Sequence, residues 1–316
     1  MGWTGTAFLC YTEPIEEGPA MKARPGKAVS MSRLQDIKLG VYEKAIPLQY
    51  SWPEKFRVAK EAGFDYIELS IDGVQPRIER LKWTTQDLIE IRHAAEEAGM
   101  QFYTMALSAN RYFPLGDDRE EVREQGKAIV RRAIEIASFL GAKIIQLAPY
   151  DVNGRESNEK TMQNFRDSLR ELIDYAALNG VILTIEVMED VPFITTIKAA
   201  REIIEEFDSP YLQIYTDTGN VAATGADPVP DLKNAGRHVV AVHVKDGTLG
   251  CCRNVPYGEG LVDFEACFKE LARLNYRGFF VSEMWCEEDE SFIPYLKTAA
   301  DFIRGKMKLV DEINGQ

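Results

Sequence analysis

The feature that most constrains this chain is a local pattern that occurs four times. A helix-type segment ends on a small or apolar residue, a glycine follows, and a β-rich run begins. It reads Glu61-Ala62-Gly63 before Tyr66-Ile67-Glu68-Leu69-Ser70, and Glu97-Ala98-Gly99 before Phe102-Tyr103-Thr104-Met105-Ala106-Leu107. It returns as Phe139-Leu140-Gly141 before Ile144-Ile145-Gln146-Leu147, and as Leu178-Asn179-Gly180 before residues 181–187. The glycines stand 36, 42 and 39 residues apart. Glycine just past a helix closes the last turn in a left-handed conformation, and the connection to the next strand is then short. The runs are continuously apolar, as in a parallel sheet covered on both faces.

Eight such runs can be counted by their centres: Leu39, Ile67, Phe102, Ile144, Leu183, Ile214, Val240 and Phe280. Eight strands alternating with helices predict an α/β fold of the (β/α)8 TIM-barrel type, with its active site at the C-terminal strand ends. The doubly wound alternative lacks its Gly-x-Gly-x-x-Gly turn after the first strand. Between the strands, Ser51-Trp52-Pro53-Glu54 has the form of a capping box, and Leu88, Ile91, Ala95 and Ala98 recur at helical spacing. The 316 residues suit one barrel domain, expected over 37–316. Residues 1–36 have no periodicity and are broken by Pro14, Gly18-Pro19 and Pro25-Gly26. They are expected as a poorly ordered extension without a catalytic role, with Met21 and Met31 as alternative starts.

Four runs end on metal-type ligands. Glu186 follows Val181-Ile182-Leu183-Thr184-Ile185, Asp217 follows Leu212-Gln213-Ile214-Tyr215-Thr216, His243 follows Val239-Val240-Ala241-Val242, and Glu283 follows Phe279-Phe280-Val281-Ser282. Their separations of 31, 26 and 40 residues each match about one strand–helix unit. Any one of them alone reads as a helix cap, a surface acid or a core histidine. Together they would leave three buried charges uncompensated without a cation, at several kcal/mol each. Of the three histidines, His93 sits among polar helix residues and His238 precedes its strand, so only His243 is in line with the acids. Three carboxylates and an imidazole suit one divalent ion, Mn2+ or Zn2+ first, then Mg2+ or Co2+.

Other strand-end polar groups are Glu43 and Lys44, Glu68 and Ser70, Ser108 to Arg111, Tyr150-Asp151 and Gly258-Glu259-Gly260. Arg111 with Ser70, Ser108 and Lys44 forms a candidate phosphate site, and Lys245 and Glu259 join the candidate substrate contacts. Lys245, two residues beyond His243, points the same way on a strand and reads equally well as a simple ion-pair partner.

Composition excludes several classes. A net charge of −13 opposes nonspecific nucleic-acid binding, and no apolar run approaches the ~20 residues of a membrane span. The five cysteines show no zinc-type or disulfide spacing. With no signal peptide recognisable, a reducing cytoplasm is expected, and Cys251-Cys252 reads as incidental thiols.

From residue 39 to 308 the motifs resemble the L-xylulose-5-phosphate and L-ribulose-5-phosphate 3-epimerases of the xylose-isomerase-like barrels. The likeness rests on Leu39-Gly40-Val41-Tyr42-Glu43-Lys44, Leu107-Ser108, Arg111 with Phe113-Pro114-Leu115-Gly116, and Gln146-Leu147-Ala148 with Tyr150-Asp151-Val152. It continues through Asp217-Thr218-Gly219-Asn220, residues 241–246, residues 254–260 and Glu283-Met284-Trp285. The resemblance implies that Glu186, Asp217, His243 and Glu283 hold the metal, and that Glu186 and Glu283 also exchange the substrate proton. Two positions depart from it. Asn110 stands where a histidine is expected, and Asn220 stands where 3-epimerases of free ketoses carry a histidine. The expected partners are a small phosphorylated sugar and a second copy of the chain in a homodimer, with no nucleic acid and no membrane.

The chemistry follows independently. Inverting C3 of a ketose requires removal of the proton alpha to the C2 carbonyl and its return to the opposite face. Two acid/base groups must flank a planar cis-enediolate, with a cation to stabilise the developing charge. An aldose–ketose isomerase would use the same parts but return the proton to C1. An abasic-site endonuclease of the related barrel would need several more histidines. A sugar-binding module without catalysis would not need the Glu186/Glu283 pair.

Overall fold

The computed structural model describes residues 33–315, apart from residue 192 and residues 286–289. Eight parallel strands close into a barrel in chain order. They are β1 (Leu39–Tyr42), β2 (Tyr66–Ile71), β3 (Thr104–Leu107), β4 (Ile144–Leu147), β5 (Ile182–Glu186), β6 (Leu212–Asp217), β7 (Val239–Val244) and β8 (Phe279–Ser282). Closure is made by β1 on β8, where Gly40 pairs with Val281. The helices between are α1 (Trp52–Ala62), α2 (Thr85–Glu97), α3 (Glu120–Leu140), α4 (Glu159–Asn179) and α5 (Ile197–Glu205). The short α6 (Thr218–Ala223) and α7 (Pro228–Leu232) follow β6, α8 (Phe264–Arg273) follows β7, and α9 (Ile293–Asn314) ends the ring.

The recurring glycines do what the pattern requires. Gly63, Gly99, Gly141 and Gly180 all take positive φ, between 65° and 99°. At α1 the Glu54 carboxylate accepts from the Ser51 N–H at 2.7 Å and from its hydroxyl at 2.6 Å. Leu88, Ile91 and Ala95 of α2 are buried while Glu90, Arg92 and Glu96 face water. One layer of side chains lies inside the barrel, among them Tyr42, Tyr66, Ala106, Ile144, Tyr215, Ala241 and Val281. Gly40 makes room for it, because a Cβ there would overlap the Tyr66 ring.

Two expectations need adjusting. Phe102 is the centre of no strand: regular pairing of β3 starts at Thr104, and Gln101 makes only an isolated bridge to Tyr66. Phe102 packs instead against Trp52 and Phe56, at ring distances of 5.6 and 5.5 Å. The expected extension lies mostly in residues 1–32, outside the described residues. Its last part, Leu34–Asp36, is a 3-10 turn with Leu34 fully buried. The Asp311 carboxylate of α9 accepts from the Leu34 and Gln35 N–H groups at 2.8 and 2.9 Å. The barrel unit therefore takes in Leu34, three residues before the expected boundary. Among the described residues no helix is long and apolar enough to cross a membrane.

Candidate active site

Sheet register assembles the site. Glu186 pairs with Tyr215 across β5–β6, and Asp217 with His243 across β6–β7. Glu283 follows β8 directly, and its N–H donates to the Val244 carbonyl. One ligand atom from each of Glu186, Asp217, His243 and Glu283 lies within 4.8 Å of the others, and all four residues are buried. His243 Nδ1 faces the three acids, at 3.2 Å from Glu186, 3.5 Å from Asp217 and 3.6 Å from Glu283.

Lys245 is an ion-pair partner within the cluster. Its ammonium donates to Glu283 Oε2 at 2.6 Å and stands 3.0 Å from Asp217 Oδ2, while its side chain also lines the cleft. Asp217 Oδ1 accepts from the Asn220 N–H at 2.8 Å. Asp217 Oδ2, fully buried, accepts no hydrogen bond. Gln146 donates to Glu186 Oε2 at 2.5 Å.

Charge at this end is out of balance. Glu68, Glu186, Asp217 and Glu283 are buried carboxylates, and among the described residues Lys245 and His243 are the cationic or ionisable partners that face them. Even with the imidazole protonated, two negative charges remain, which is the charge of one divalent cation. That surplus, on three carboxylates and an imidazole converging at one point, makes the residues present fit such an ion.

The same crowding sets the acidities. Burial pushes the Glu186 carboxyl up to about 7, with Glu283 and Asp217 adding to it against the pull of His243. Burial also acts on Asp217, but Lys245 and His243 outweigh it and hold that carboxyl below its ordinary value. For Lys245, burial is overcome by Asp217 and Glu283, which hold its ammonium well above the usual range.

Beside this cluster opens a cleft of about 400 Å³. Glu186, Glu283, Lys245, Asn220 and Trp285 line one end, and Lys44, Ser108, Arg111 and Tyr112 line the other. Lys44 pairs with Asp72 at 2.5 Å, and the Arg111 guanidinium lies 4.7 Å over the Tyr150 ring. A larger hollow of about 820 Å³ opens at the N-terminal strand ends, beside Lys143, Arg237 and Phe279. Its lining carries no carboxylate and no histidine, so the carboxylate and imidazole cluster lies at the smaller cleft.

Two of the candidate substrate contacts are not brought to the cleft. Ser70 is buried inside the barrel, where its hydroxyl meets the Tyr42 hydroxyl at 3.3 Å. Glu259 is exposed and does not line the cleft. The acid that organises its loop is Asp246, which accepts from the N–H groups of Gly258, Gly260 and Val262 at 2.8, 3.0 and 3.2 Å. Asn110 is also buried, donating to the Ala148 carbonyl at 2.8 Å. His93 pairs with Glu97 on the outside of α2, and His238 meets Gln213. Cys251, Cys252 and Cys267 are free, while Cys10 and Cys286 lie outside the described residues.

Sequence reading missed the roles of Glu68, Gln146 and Asp246. Each was visible as a polar residue in or just beyond an apolar strand. The signal available was its side-chain alternation, which puts Glu68 on the inner face with Tyr66.

The family described as "Xylose isomerase-like TIM barrel" matches residues 56–306. The L-ribulose-5-phosphate 3-epimerase UlaE of Salmonella paratyphi A is 40% identical over 273 residues, covering 86% of this chain and 96% of its own. Among solved structures, D-psicose 3-epimerase with D-tagatose from Clostridium cellulolyticum H10 superposes with a TM-score of 0.74 at 17% identity. That match covers 86% of this chain and 99% of the other. A xylose isomerase-like TIM-barrel protein from Mycobacterium smegmatis, in complex with magnesium, superposes with a TM-score of 0.68 at 18% identity. It covers 89% of this chain and 99% of its own. At these identities the superpositions establish the shared fold.

Proposed function

This chain belongs to the xylose isomerase-like TIM barrels, and from that membership we propose that it is a metal-dependent epimerase inverting C3 of a ketopentose 5-phosphate. L-Ribulose 5-phosphate and L-xylulose 5-phosphate are the proposed pair, supported by the 40% identity to an L-ribulose-5-phosphate 3-epimerase over nearly its whole length. The observation that carries the reading is the pair of buried glutamates, Glu186 at the end of β5 and Glu283 directly after β8, both lining one cleft and both part of the four-donor cluster.

Glu186, Asp217, His243 and Glu283 would hold the cation, with Mn2+ or Zn2+ the proposed ion. When bound, it supplies Lewis-acid polarisation of the C2 carbonyl and offsets the charge that develops on the sugar oxygens. Everything else falls to the chain. One glutamate takes the C3 proton, and the other delivers a proton to the opposite face. The reverse direction exchanges the two roles. Lys245 adds a fixed positive charge beside Glu283. Arg111, with Lys44 and Ser108, is the proposed phosphate grip, lining the same cleft from the ends of β1 and β3. A homodimer is proposed alongside and is checked by the mass in solution.

The test is incubation with substrate in heavy water, followed by NMR. Deuterium at C3 is expected. Deuterium confined to C1 would replace epimerisation by aldose–ketose isomerisation.

A further inference from the structure

We infer that Glu68, held in place by Tyr215, is a positioning residue that aims the imidazole of His243 at the cation site. The inference rests on the proposed metal site and extends it to the opposite wall of the barrel. Glu68 lies on β2 and is fully buried. Its Oε2 meets His243 Nε2 at 2.8 Å, and its Oε1 accepts from the Tyr215 hydroxyl at 2.7 Å. The Tyr215 and His243 rings are 4.4 Å apart, and the Tyr42 ring stands 6.2 Å from the imidazole on another side.

An imidazole has two nitrogens, and only one can offer a lone pair in a given direction. Here Nδ1 faces the three acids, so Nε2 must carry the hydrogen when Nδ1 binds a cation. An ionised carboxylate is acceptor-only, and one placed 2.8 Å from Nε2 enforces that tautomer. It also makes the imidazole a better donor to a metal. Tyr215 occupies the other carboxylate oxygen, which keeps Glu68 from turning away. A buried carboxylate is a costly way to fill a barrel interior. Its two oxygens are spent on the histidine and on the group that fixes it. Gln146 plays the neutral counterpart on Glu186, where no tautomer needs to be chosen.

The experiment uses the full chain stripped of metal with a chelator and titrated calorimetrically with Mn2+ alone. Glu68→Gln is expected to weaken Mn2+ binding about 10–100-fold, and Tyr215→Phe less, with the melting temperature of the stripped proteins held within a few degrees. In Zn2+-loaded wild-type protein the 15N spectrum should show His243 protonated at Nε2, and the Glu68→Gln spectrum should show that preference weakened. Mn2+ affinities within twofold of wild type in both variants would overturn the proposal. So would an affinity loss that merely tracks a loss of folding. If Glu68→Gln does not fold, Tyr215→Phe decides alone, since it removes one oxygen. Wild-type protein that takes up Mn2+ but exchanges no C3 proton would sink the proposed reaction and leave this inference standing. Wild-type protein that takes up no Mn2+ would remove the metal site and the inference with it.

Discussion

At the β5–β8 end of the cleft four buried carboxylates face one lysine and one imidazole, whereas at the β1–β3 end the main charges already have partners. Lys44 is matched by Asp72, Arg111 rests on Tyr150, and beneath them Glu43 sits between Lys55 and Arg80. One end is left short of positive charge, whereas the groups named at the other carry four cations against two carboxylates. An unbalanced buried cluster is stable only with something bound in it. A cluster with cations in excess can offer them to an anionic substrate. Under the proposed function, the reacting half of the substrate would lie at the first end and its anionic tail at the second.

The sharpest way to break this contrast is at the proton-transfer groups. Glu186→Gln and Glu283→Gln should each lower kcat by about 10²–10⁴-fold while leaving circular dichroism and melting close to wild type. A variant keeping more than about a tenth of wild-type turnover would remove that glutamate from proton transfer. Metal depletion should act on the same end. Dialysis against a chelator should abolish turnover, and added Mn2+ or Zn2+ should restore it. His243→Ala should lose activity mainly through weaker metal binding, so excess Mn2+ should recover part of its rate. A His243→Ala enzyme indifferent to added metal would contradict the ligand role.

At the other end the expected effect is smaller and falls on binding. Arg111 can form two parallel charge-assisted bonds to a phosphate, which a lysine cannot. A charge-assisted hydrogen bond contributes about 1.5–3 kcal/mol, so Arg111→Ala should raise KM for the phosphorylated ketose roughly 10–100-fold. KM for the unphosphorylated sugar should change little. Equal losses on both substrates would mean that Arg111 supports the loop, and attention would move to Arg253, which lines the cleft over Trp285.

The two ends also differed in how well they could be read from sequence. Glu186, Asp217, His243 and Glu283 each close an apolar run, so the strand pattern alone brings them to one rim. Glu68 escaped assignment because its partner, His243, is 175 residues away and nothing local marks the pair. At the β1–β3 end, Ser70 was chosen for its position near a strand end, yet side-chain alternation turns it into the barrel. The Lys44–Asp72 pair joins two loops whose approach only the closed barrel defines. Phe102 shows the same limit within the fold: its apolar run was recognisable, but the aromatic cluster with Trp52 and Phe56 that draws it out of the sheet was not.

The smallest expected effect tests the ion pairs beneath the β1–β3 end. Burial opposes ionisation of Glu43, but Arg80 and Lys55 outweigh it and hold its carboxyl well below the usual range. Arg80 donates to both carboxylate oxygens, Lys55 to one at 2.5 Å, and the Ser70 N–H to the other at 3.1 Å. Because the folded-state value is depressed, the stabilisation is present in full above the unfolded glutamate value of about 4.3. It is withdrawn progressively as pH falls below that value toward the folded one. Wild-type urea midpoints should therefore drop between pH 5 and 3. Glu43→Gln leaves two cations buried without a partner, which costs about 3–5 kcal/mol at neutral pH. Its midpoint should start lower and fall less over the same range, so that the two curves converge in acid. A gap that stays constant from pH 7 to 3 would mean that the Glu43 charge does not hold Lys55 and Arg80 in place beneath this end.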